Sequence, residues 1–162
     1  MDTVTSTKVG GVASWNGGSI ALTAGLAALI SLSSGDLVPG AFGAAIAAAG
    51  AIEWRAGRKL RLGGDPVLAR GRLVGAELTV LVLIIGYSMW RLFSVDVAAE
   101  LAELPVELRD ALIGALGGSE RALVQMFTLA LKLTYTTLIV LSLVYQGGLA
   151  WWYARKFRSA AA

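Results

Sequence analysis

From Leu78 to Ile85 every residue except Thr79 is Leu, Val or Ile, and this run sits inside a longer apolar stretch, 73–93, that ends on Trp90 and Arg91. A helix crossing about 30 Å of hydrocarbon needs roughly 20 mainly apolar residues, so the stretch has the length of a membrane span. Composition points the same way: 56% of the chain is hydrophobic and only 15% is charged, where a soluble domain carries about 25% charged residues. The mean hydropathy is +0.69. The expectation is an all-α, polytopic integral membrane protein that forms a single membrane domain over residues 1–162.

Three more stretches approach the required length. The first, 19–34, is the weakest, and it follows Trp15, the sole asparagine Asn16, Gly17 and Gly18. It reads as a retained helix and not a signal peptide, because the segment before it is long, contains Asp2 and has only Lys8 as a cation. The second, 38–54, is rich in Gly and Ala. The turn Ser34-Gly35-Asp36 before Pro39 joins the first two into a helical hairpin. The fourth, 131–152, lies within a longer helical segment from about Arg121 to Tyr153, and Trp151, Trp152 and Tyr153 form an aromatic belt ahead of Arg155, Lys156 and Arg158. A four-transmembrane-helix bundle follows.

Charge orients these spans. Arg55, Arg58, Lys59, Arg61, Arg70 and Arg72 concentrate in the connection 55–72, and positive charge marks the side where a short loop stays. With four spans, this basic inner loop, the basic tail and the N-terminus share one side, expected to be the cytoplasm of a bacterial inner membrane. The connection 95–120 falls outside and is acidic, setting Asp96, Glu100, Glu103, Glu107, Asp110 and Glu120 against Arg109. The pI near 9.5 is then a matter of topology and anionic-lipid contact at the inner loop, and nucleic acid is not expected as a partner. Within the outer connection, Pro105 starts an extra amphipathic helix between helices three and four, and Gly117-Gly118 stops it. Its acidic side is either solvated or a docking face for another protein.

Small residues four apart let helices approach closely in lipid. Gly40, Ala44 and Ala48 form one row in the second span and Gly43, Ala47 and Ala51 the next; the first span carries Ala21 and Gly25 beside Ala24 and Ala28. These rows predict tight packing of the first two helices, with part of the surface open to a second copy of the chain or another membrane protein.

The chain has neither Cys nor His. Thiolate chemistry, disulfides and the usual zinc and haem ligands are excluded, and the commonest general base is missing. No arrangement of nucleophile, base and electrophilic stabiliser is legible, and no motif indicates a family, a cofactor or a metal. Gly63-Gly64-Asp65-Pro66 reads as a turn, since it lacks the Lys-Ser/Thr and helix context of a phosphate loop.

Ionisable groups inside spans are costly and mark candidate sites. Glu53 and Glu77 fall at similar depth beside the basic loop. They either pair with Arg55, Arg58 or Arg72 as interfacial charges, or form with them a cytoplasm-facing site for a cation, a proton or a headgroup. Lys132 either snorkels outward or meets Asp96 or Glu100. Nearby Tyr87, Ser88 and Tyr135 would supply a small polar cluster. The functional expectation is a non-enzymatic membrane subunit or scaffold acting through helix packing and partner contacts, and the alternative is an oligomeric transporter or holin-like pore using Glu53 and Glu77.

Overall fold

A computed structural model describes residues 3–158; Asp2 and the tail beyond Arg158, with the Arg158 side chain, lie outside the described residues. The described chain forms six helices, α1 (Thr3–Ser33), α2 (Leu37–Arg61), α3 (Pro66–Ser94), α4 (Val97–Ala102), α5 (Val106–Ala115) and α6 (Glu120–Arg158). Of these, α1, α2, α3 and α6 are long and apolar enough to cross a membrane.

Local chemistry sets the helix ends. Leu62 and Gly63 close α2 with Gly63 at φ 84°, and the Gly64 N–H donates to Lys59 O at 2.9 Å. This left-handed glycine cap returns two amides to the last turn, where Arg58, Lys59 and Arg61 complement the helix dipole. Asp65 then caps α3 by accepting the Val67 N–H at 2.8 Å, with Pro66 at the first helical position. Gly35 and Gly117 terminate α1 and α5 through the same glycine geometry. Asp96 starts α4 by accepting from the Ala98 and Ala99 amides.

The helices are longer than hydropathy suggests, which moves several expected boundaries. α1 begins at Thr3 and not near Ser19, so Trp15-Asn16-Gly17-Gly18 lies in mid-helix. The basic loop 55–72 is mostly the end of α2 and the beginning of α3, and only Leu62–Asp65 is non-helical. α6 runs well beyond 131–152 at both ends. The connection 95–120 contains α4 as well as the expected helix, here α5. Hydropathy windows penalise Gly, Ser and Arg, whereas a helix tolerates all three wherever it packs or meets solvent.

The chain divides into two compact units, one of residues up to Tyr87 together with those from Leu141, the other Ser88–Val140. In the first unit α1 and α2 pack against each other antiparallel. A methyl group added at Gly10 would lie 2.6 Å from Gly57 O, one at Gly17 2.6 Å from Gly50 O, and one at Gly43 3.2 Å from Ala24 O. The closest backbone approaches therefore recur every seven residues on both helices, the spacing of a left-handed crossing, and the expected four-apart pairs take part in the same seam, Gly43 against Ala24 and Ala28 and Ala21 against Gly50. Gly40 closes on Leu32, and Gly25 lies against Ala47, while Ala44 is exposed. A buried cluster of Val9, Ala13, Ala56, Leu60, Ala69, Leu73, Tyr153 and Phe157 fills this unit toward the α2–α3 turn.

In the second unit Arg91 pairs with Glu100 at 3.3 Å and donates to the Tyr135 hydroxyl at 3.2 Å. Arg109 pairs with Glu120. Lys132 is exposed, and Glu100, one of its two expected partners, is held by Arg91 instead.

Candidate functional site: a buried carboxyl–amide node

Each of the four long helices contributes to one buried polar cluster in the first unit. α1 supplies Asn16, α2 Glu53, α3 Glu77, and α6 both Tyr145 and Tyr153. Glu53 and Glu77 are 1% and 0% exposed, and Asn16 is 5% exposed. At 1.5 Å per residue, the two carboxyl positions stand about 12–17 Å along their helices from the ends at the α2–α3 turn, and Asn16 is near the middle of α1.

The Asn16 amide is the centre. Its Nδ2 donates to Glu53 Oε2 at 2.9 Å and Oε1 at 3.1 Å, and to Glu77 Oε1 at 2.9 Å. Tyr145 OH donates to Asn16 Oδ1 at 2.8 Å, and Tyr153 OH donates to Glu53 Oε1 at 2.8 Å. The Glu53 and Glu77 carboxyl groups thus share the one Asn16 nitrogen. One oxygen, Glu77 Oε2, is buried with no fixed donor directed at it.

α6 presents its buried side through Ser142, Gln146, Ala150, Tyr153 and Phe157, spaced by three and four. Gln146 is 6% exposed, and its Oε1 is a second buried acceptor without a donor. The tyrosines reach the node differently. Tyr153 is enclosed, whereas Tyr145 is 58% exposed and only its hydroxyl turns inward.

The structure thus brings Glu53 and Glu77 together but separates them from the arginines expected to neutralise them. Arg58 lies over the Trp54 ring at 5.2 Å and, with Arg61 and Thr7, lines a surface recess. Arg72 lines a groove between α2 and α3, and Arg55 is exposed. Neither carboxyl group makes an ion pair among the described residues. The expected interfacial pairing is not formed because α2 and α3 continue as helices past the carboxylates, which carries the basic residues toward the turn and onto outer faces.

Sequence reasoning passed over Asn16, Tyr145 and Tyr153. A signal for the first existed: a single Asn in a stretch otherwise of small and apolar residues. Tyr153 was read as part of an interfacial belt, and nothing in its neighbourhood distinguishes a buried hydroxyl from an interfacial one. No group of three or more carboxylates suited to a metal ion occurs among the described residues. No protein-family model, curated protein or solved structure matches the chain.

Proposed function

We propose that this chain is a small non-enzymatic integral membrane protein, a four-span bundle whose Asn16–Glu53–Glu77 node binds a proton within the bilayer. Membrane insertion is supported by the outer faces of the long helices. Leu22, Leu29 and Ile30 on α1, Val82 on α3, and Leu141 and Val144 on α6 each expose more than half their surface, far more apolar area than a water-soluble monomer presents. The distribution of basic residues supports cytoplasmic placement of the α2–α3 turn and both termini in a bacterial inner membrane.

The observation that carries the proton is the donor count at the node. Four carboxyl oxygens meet one amide nitrogen and one tyrosine hydroxyl, with no cationic side chain, so a proton on one carboxyl group supplies the donor the cluster otherwise lacks. Two unprotonated carboxylates buried side by side in hydrocarbon would carry a prohibitive desolvation cost. A bound cation is the less supported alternative, since the Asn16 nitrogen stands where a cation would meet both carboxylates.

A holin-like pore or proton channel is disfavoured by the packing. The buried apolar layer containing Leu60, Leu73 and Phe157 lies between the node and the α2–α3 turn, and these side chains offer no polar chain for proton transfer. The node is therefore an occluded proton site in a subunit or scaffold.

Difference infrared spectroscopy of the reconstituted protein tests this reading. A protonated-carboxyl band at neutral pH that shifts in each of Glu53→Gln and Glu77→Gln and disappears when both are replaced is the expected result. Two ionised carboxylates together with a retained monovalent cation would sink it and promote the cation site.

A further inference from the structure

On the outer side of the same unit, α2 and α3 leave a groove of about 550 Å3 lined by small residues, among them Ala45, Ala48, Gly71 and Gly75, with Thr79 and Leu83 farther along. A Cβ at Gly71 or Gly75 would meet no atom within 4 Å, so these glycines give the groove depth and are not packing contacts within the chain. Between Gly71 and Leu83 the groove runs about 18 Å along α3, slightly more than one leaflet of a 30 Å hydrocarbon layer. Arg72 lines it at the end nearest the α2–α3 turn and also lines, with Lys59, a small recess beside that turn. Asp65 lines this recess too, with its Oδ1 engaged in capping α3.

We infer that the groove is a binding site for one anionic phospholipid, with an acyl chain laid along Gly71, Gly75 and Ala48 and the phosphate held by Arg72 and Lys59. An apolar trough one leaflet long that ends at Arg72, which it shares with the recess lined by Lys59, matches an amphiphile with a negative head. Charge argues against a second copy of the chain. Copies inserted in the same orientation would bring their Arg72 side chains to equal depth against each other, where like charges repel. The inference does not depend on the proton at the node, because none of the groove residues belongs to it.

The test is native mass spectrometry of the full chain taken from nanodiscs of phosphatidylglycerol or of phosphatidylcholine, with glycerol phosphate as the chain-free control. The wild type is expected to retain one phosphatidylglycerol, with no comparable retention of phosphatidylcholine or glycerol phosphate. Arg72→Gln and Lys59→Gln should each reduce retention about fivefold, the ratio that corresponds to about 1 kcal/mol per cation near the membrane surface. Gly75→Leu should abolish it by filling the trough while the fold persists, since the added side chain enters open space. Equal retention of both lipids, or retention indifferent to Gly75→Leu, would mean ordinary boundary lipid and overturn the inference. A dimer dispersed by Gly75→Leu would overturn it in favour of a helix–helix contact, and glycerol phosphate bound as well as the lipid would reduce the site to a phosphate pocket.

Discussion

Tyr145 OH donates to Asn16 Oδ1 across 2.8 Å, and this contact determines which way the Asn16 amide faces. With the carbonyl oxygen turned to α6, both amide hydrogens must point at Glu53 and Glu77. A side chain whose ring is on the outer surface thereby controls the donor at the centre of the unit.

Tyr145→Phe should consequently loosen the node without dismantling it. The loss of one hydrogen bond is expected to cost about 1 kcal/mol, seen as a modest fall in detergent melting temperature. A more sensitive readout is the infrared carboxyl band, which should broaden as the amide gains a second orientation. An unchanged band would show that the Asn16 orientation does not depend on α6.

Asn16→Leu removes the shared donor and leaves two carboxyl groups buried against aliphatic surface. The expected cost is on the order of 3–5 kcal/mol, the range for stripping the partner from a buried charged group. The triple change Asn16→Leu, Glu53→Gln and Glu77→Gln should recover much of that loss. Failure of the triple variant to recover stability would assign the Asn16 effect to packing alone.

The glycine seam makes a graded prediction. At Gly57 an added Cβ would lie 2.6 Å from the Ser14 nitrogen and 2.8 Å from Gly10 O, whereas at Gly147 on α6 it would meet nothing within 4 Å. Gly57→Ala should destabilise by about 1–3 kcal/mol, as overpacking does. Gly147→Ala should be neutral or stabilising by up to about 1 kcal/mol, since Ala is the better helix former. Similar melting temperatures for the two variants would contradict the close approach of α1 and α2.

Topology can be read with single cysteines in this cysteine-free chain. Leu62, 83% exposed in the α2–α3 turn, and Ala102 at the end of α4 are the informative positions. In intact cells an impermeant thiol reagent is expected to label Leu62→Cys poorly and Ala102→Cys readily. The reverse pattern would invert the orientation, and labelling of both would require an even number of spans between them.

The wild type is expected to pass no protons under an imposed gradient in sealed vesicles, because the layer around Leu60, Leu73 and Phe157 separates the node from the α2–α3 turn. A flux that both Glu53→Gln and Glu77→Gln remove would replace the occluded site with a transport site.

The long helices were largely legible from the sequence because Leu, Val and Ile runs such as Leu78 to Ile85 have few other ways to satisfy their backbone in an apolar medium. Pro105 and Gly117 marked the ends of α5 for equally local reasons. The site was legible only in part. Glu53 and Glu77 stood out as charges among apolar residues, but their neutral partners did not. The distance of the two carboxyl groups from their helix ends was misjudged for the same reason that α1 was shortened. Gly10 and Gly17 contribute little hydropathy, yet they bury backbone against Gly57 and Gly50. Contacts such as Tyr153 to Glu53 depend on how α6 docks, which no local pattern encodes.

The hydroxyl that orients Asn16 lies 129 residues later in the chain, and the one that reaches Glu53 lies 100 residues later. At about 5–20 residues per second of synthesis, Tyr145 emerges roughly 6 to 26 s after Asn16. Glu77 follows Asn16 by 61 residues, and from its arrival until that of Tyr145 the Asn16 amide meets two carboxyl groups with its own carbonyl unanchored, so the node is completed only when the last long helix arrives. The nascent protein therefore carries a built-in mark of incompleteness, a polar defect in its first three helices that is erased when the fourth docks, and truncated chains ending before Tyr145 would retain it.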